Sequence, residues 1–167
     1  KALRYITSPN MVMSDSENHR PGIDNGGPFL AMNPFSSRCC QHNHGFGWPY
    51  YAEHLIMASP DNGVAAVLYN SCDATLKVAD GKTVVVKERT DYPFDTQVSF
   101  EIECKRPVTF PFYLRIPSWT KGAELKINGK KVSANLDEGK YVCITREWRN
   151  GDRIEANFPM TISYRTW

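Results

Sequence analysis

From Val64 onward the chain alternates apolar and polar residues with a period of two. Val98, Phe100, Ile102 and Cys104 alternate with Gln97, Ser99, Glu101 and Glu103, the pattern of a half-buried antiparallel strand. Phe110, Phe112, Leu114 and Ile116 repeat it against Tyr113 and Arg115. Leu125 and Ile127 run into Asn128-Gly129, the strongest short hairpin signal. Val142 and Ile144 continue the period, followed by Ile154, Ala156 and Phe158, and then by Met160, Ile162 and Tyr164. Asn150-Gly151 marks a second tight turn. Roughly eight to ten short strands at regular spacing predict a mainly β fold, an antiparallel β-sandwich or jelly roll.

Before Val64 the period changes. Tyr51, Leu55 and Ala58 recur at helical spacing, and Pro49 suits a first helical position, which predicts a single short helix over about 48–59. Ser59-Pro60-Asp61-Asn62-Gly63 is expected to stop it. Residues 1–47 carry no lasting period and are rich in turn formers, such as Pro21-Gly22 and Asn25-Gly26-Gly27-Pro28. So long an irregular segment is unusual inside a compact domain, and it is expected to be functional or to belong to a neighbouring structure.

The chain has 167 residues, enough for one ordinary domain with a real core. Lys and Arg number 20 against 18 Asp and Glu, so the electrostatic case for nucleic acid or an anionic membrane is missing. No apolar run approaches the roughly 20 residues of a membrane helix. Residues 1–10 lack the apolar core of a signal peptide, and the chain starts without Met, which suggests a fragment or a processed product and leaves the compartment open. Five cysteines exclude a fully paired disulfide framework.

The chemistry concentrates in Cys39-Cys40-Gln41-His42-Asn43-His44. Two thiols and two imidazoles within six residues are raw material for a zinc site, and a thiolate there can act as a nucleophile. Three readings stay open on the residues alone: reduced, partly buried thiols; a local zinc site using Cys39, Cys40, His42 and His44; or a nucleophile. Asn43 suits sugar hydroxyls or the ordering of a loop. Trp48, with Tyr50 and Tyr51, suits stacking on a sugar or packing of the helix. Trp119 and Trp148 read as packing residues, and Cys104 and Cys143 as core. Asp91 and Asp95, around Tyr92-Pro93-Phe94, read as a turn.

Several motifs then appear in order. Leu68-Tyr69-Asn70-Ser71 and Thr90-Asp91-Tyr92-Pro93-Phe94-Asp95 precede Leu114-Arg115-Ile116-Pro117-Ser118-Trp119. Ile127-Asn128-Gly129, Gly139-Lys140-Tyr141 and Arg146-Glu147-Trp148-Arg149-Asn150-Gly151-Asp152 follow. With the upstream Cys-Cys-x-x-Asn pattern, residues 30–167 resemble the C-terminal part of the β-L-arabinofuranosidase family, glycoside hydrolase family 127, and its relatives of unknown function.

The resemblance implies an (α/α)6 barrel holding the active site, followed by β-sandwich domains. Residues 1–62 would then be the end of the barrel and 63–167 a sandwich. It implies Cys39 as nucleophile and zinc ligand and Cys40 as zinc ligand. A Glu and a Cys would complete the metal site from upstream, where the acid/base Glu is also expected. Residues 1–38 hold no cysteine, and Glu17 is their only glutamate. His42, Asn43 and Trp48 are the expected substrate contacts. Gln41-His42 departs from the Pro-containing spacer of the best-known members, so the substrate of those members is not carried over. The expected function is a retaining glycosidase in the full-length parent, with zinc present there and absent from this inactive fragment. The expected partners are a carbohydrate and the N-terminal barrel, with neither nucleic acid nor membrane. The alternative is a non-catalytic sandwich that binds carbohydrate or supports the barrel.

Overall fold

A computed structural model describes residues 39–162, with side chains from residue 45 onward. The chain divides between Tyr50 and Tyr51 into two compact units. Helix α1 spans Cys39–Glu53. The strands are β1 (Ile56–Ala58), β2 (Val64–Ala66), β3 (Cys72–Val78), β4 (Lys82–Thr90), β5 (Gln97–Cys104), β6 (Val108–Arg115), β7 (Glu124–Ile127), β8 (Lys130–Lys131), β9 (Tyr141–Trp148) and β10 (Asp152–Asn157).

The strands form two sheets. One has the order β1-β2-β6-β9, the other β3-β4-β5-β10-β7-β8. Every pairing is antiparallel except β2 with β6. The fold is the expected mainly β sandwich. Its interior is the alternation seen in the sequence: Val98, Phe100 and Ile102 of β5 and Phe110, Phe112 and Leu114 of β6 are buried. Phe100 of one sheet meets Phe112 of the other edge to face, with ring centroids 5.4 Å apart. Trp148 is fully buried, and its indole N–H donates to the Phe110 carbonyl at 3.0 Å. It is a packing residue, as expected.

Asn128-Gly129 makes the expected hairpin between β7 and β8. Both residues have positive φ, 50° and 75°, and Ile127 pairs with Lys130 across them. Asn150-Gly151 also turns the chain, with the Asp152 amide donating to the Arg149 carbonyl at 3.0 Å. That turn leads from β9 in one sheet to β10 in the other, so it makes an inter-sheet corner.

Three expectations are corrected. The helix runs over Cys39–Glu53, not 48–59, and Pro49 lies inside it. Leu55 and Ile56 are buried in the sandwich core, and Ile56–Ala58 pair with Val64–Ala66. Ser59–Gly63 is therefore a hairpin turn: the Ser59 amide donates to the Gly63 carbonyl at 3.1 Å. The helical spacing of Tyr51, Leu55 and Ala58 is a coincidence: only Leu55 is buried, and Ala58 is exposed on β1. Residues 158–162 form no strand, and Met160 and Ile162 are exposed; Tyr164 lies outside the described residues. Cys143 is exposed, because it alternates with the buried Val142 on the outer side of β9.

Candidate functional site

Cys39 and Cys40 are the first two residues of α1. The side chains of Cys39, Cys40, His42, Asn43 and His44 lie outside the described residues. Phe46 and Tyr50, further along α1, are largely exposed. Trp48 is 56% exposed.

For a metal, the donor set is what can be tested. Cys39 and Cys40 offer two soft sulfur donors by residue type. This suits zinc, but it is half of a tetrahedral shell. Among the described residues no group of three His, Cys, Asp or Glu side chains could hold a metal ion.

Three of the sequence motifs converge elsewhere, at one end of the sandwich. Tyr69 is buried; its hydroxyl donates to the Arg115 carbonyl, and its own carbonyl accepts from the Tyr51 hydroxyl at 3.1 Å. The Arg115 guanidinium lies 5.5 Å from the Tyr69 ring centre and donates to the Val67 carbonyl at 2.5 Å. Tyr69 packs edge to face on Tyr92, and Tyr92 stacks on Trp119 at 6.3 Å. Trp119 is thus an edge packing residue.

Beside them sits Glu88, fully buried. Its carboxylate accepts from the Asn70 amide at 3.2 Å and from the Cys72 thiol at 3.9 Å. Burial pushes its pKa up to about 8, against the lowering effect of those two bonds. Burial, followed by the nearby Glu88 charge, also raises the Cys72 thiol to about 11, so Cys72 is a poor nucleophile. Neither Glu88 nor Tyr69 is open to a substrate. Sequence reading missed Glu88, because a lone Glu within Val-Val-Val-Lys-Glu-Arg-Thr gives no sign that its strand register turns it inward.

The comparisons agree with this architecture. Residues 63–160 match the family model of the β-L-arabinofuranosidase GH127 middle domain. The crystal structure of a GH127 β-L-arabinofuranosidase from Geobacillus stearothermophilus T6 is similar at TM-score 0.70 and 31% identity, covering 77% of this chain and 20% of that one. A second solved structure, a GH127 β-arabinofuranosidase, is similar at TM-score 0.66 and 27% identity, covering 76% and 22%. A third, a glycoside hydrolase, shares the fold at TM-score 0.73 and 24% identity, covering 87% of this chain and 24% of that one. The chain thus spans about a fifth to a quarter of the length of these proteins. No curated protein matches it.

Proposed function

Since the chain belongs to the β-L-arabinofuranosidase family, glycoside hydrolase family 127, we propose that it is part of a retaining glycosidase whose nucleophile is Cys39. The observation that carries this reading is the Cys39-Cys40 pair at the head of α1, the helix that leads into the family's middle domain. Cys39 and Cys40 would hold zinc together with ligands from the part of the parent N-terminal to Lys1. When bound, zinc keeps a ligating thiol deprotonated at neutral pH.

The Cys39 sulfur then attacks the anomeric carbon of a β-L-arabinofuranoside or related sugar. A C–S bond forms as the glycosidic C–O bond breaks, and an acid outside this chain protonates the departing oxygen. Water next attacks the same carbon and passes its proton to that group, now a base. The sulfur leaves as thiolate, so two inversions give net retention. We assign His42, Asn43 and Trp48 to contacts with the sugar.

In the full-length parent, Cys39→Ala should lower turnover of an aryl β-L-arabinofuranoside by at least about a thousandfold while the fold is kept. Mass spectrometry of quenched wild-type enzyme should find one sugar residue on the peptide bearing Cys39. Activity retained in the Cys39→Ala parent would overturn the assignment.

A further inference from the structure

At the far end of the β4–β5 ladder lies an open cleft of about 770 Å³. Its apolar lining includes Val85 and the buried Val108, and Lys82, Lys105, Arg106 and Asn150 stand around it. We propose that this cleft binds an oligosaccharide bearing carboxylates.

Charge carries the proposal. On this sandwich several cations are matched: Lys87 with Glu103 at 2.5 Å, Arg89 with Asp73 at 2.6 Å, Arg153 with Glu101 at 3.3 Å and Lys131 with Glu124 at 3.1 Å. Among the described residues, none of Lys82, Lys105 and Arg106 joins an ion pair. The cleft's one carboxylate, Glu103, is already held by Lys87. Val84 pairs with Cys104, and Lys82 and Arg106 stand two residues from that pair toward the same end of the ladder. Three like charges gathered at one ladder end repel each other, and an anion in the cleft relieves that repulsion.

The other groups select the kind of anion. The Asn150 side-chain oxygen accepts from the Cys104 amide at 3.1 Å, which leaves its NH2 to donate. Thr83 Oγ1 accepts from Lys77 at 2.7 Å and keeps its own O–H to donate. A ligand with hydroxyls beside its carboxylates uses both, and the C–H faces of its rings cover the valines. The volume lies within the range of small-molecule sites. A peptide is less suited, since β4 and β5 are interior strands and offer no free edge for strand addition. Choosing a saccharide over other polyanions rests on the glycosidase reading; the anion site itself does not.

The test is calorimetric titration of the 167-residue chain, and of the parent, with α-1,4-linked trigalacturonate at low and high salt. Binding should weaken as salt rises. Lys105→Ala with Arg106→Ala should weaken it about tenfold or more, whereas Lys126→Ala, an exposed lysine outside the cleft, should leave it unchanged. Both substituted side chains are exposed, and thermal melts check that the fold persists; should it not, Lys105→Gln alone reads the same loss. The proposal is overturned by absence of binding, by equal binding of the methyl-esterified trimer, or by no response to the substitutions. Equal or tighter binding of a glutamate-rich hexapeptide overturns the saccharide in favour of an acidic peptide. Cys39→Ala in the parent should leave trigalacturonate binding intact, so this site and the nucleophile assignment fail separately.

Discussion

Glu88 is the residue whose chemistry the fold changes most. In the unfolded chain its carboxyl titrates near 4.5, and in the folded one near 8. Below about pH 4.5 it is neutral in both states, and the folded form carries no buried charge. As pH rises toward 8 the unfolded chain releases the proton and the folded one resists, so stability falls across that window. The loss is on the order of a few kcal/mol. Glu88→Gln keeps an acceptor for the Asn70 amide and removes the titration. Its urea midpoint should therefore vary less between pH 5 and pH 8 than that of the wild type; equal slopes would sink this account.

Asp152 works in the opposite sense. Burial pushes its carboxyl up, but the Asn128 side chain at 2.7 Å, the Arg149 amide at 2.9 Å and the charges of Arg146 and Arg149 hold it below the ordinary value. Its contribution is present above pH 4 or so and is lost as pH falls through its lowered pKa. Asp152→Ala should destabilise the protein by roughly 1–3 kcal/mol at pH 7, and the deficit should shrink toward pH 3. Chemical denaturation at both values measures it.

At the scale of elements, the β1–β2 hairpin depends on Gly63. A Cβ there would collide with the Pro111 carbonyl oxygen and the Pro111 ring, where β2 runs beside β6. Its amide donates to Ser59 Oγ at 3.0 Å. Gly63→Ala should cost roughly 2–4 kcal/mol by forcing β2 off β6, whereas Gly129→Ala, with open space around it, costs only the left-handed backbone, about 1 kcal/mol. Thermal melts of the two variants should rank in that order. Strand alternation was legible from Val98 through Phe158, because most of the inward side chains are apolar, Asp152 and Arg146 being exceptions. The short β1 was not legible: three residues are too few for a period to emerge, and Leu55 and Ile56 are consecutive buried residues that fit a helix as well as a strand. Pro49 was misread because it serves equally at a helix start and, at a cost, inside one.

At the scale of the molecule, the proposed chemistry exceeds what this chain carries. Cys39 and Cys40 supply two ligands of a four-coordinate zinc, and the chain spans 20% of the Geobacillus enzyme. The 167-residue chain should therefore show no turnover of an aryl β-L-arabinofuranoside and clearly substoichiometric zinc by metal analysis. One zinc per chain, lost on Cys40→Ser, would instead favour the local site with His42 and His44.

The sequence alone determined the sandwich, the Asn128-Gly129 hairpin and the family, since each rests on local chemistry: alternation, turn preference and ordered motifs. The Cys39-Cys40 pair was visible for the same reason. Tertiary structure decided which sheet each strand joins, that Asn150-Gly151 turns between sheets, that Glu88 is buried, and that Lys82, Lys105 and Arg106 gather around one cleft. These depend on pairings between residues far apart in the chain. Local pattern carries no record of such pairings, because the same alternating strand fits either sheet until its neighbours are in place.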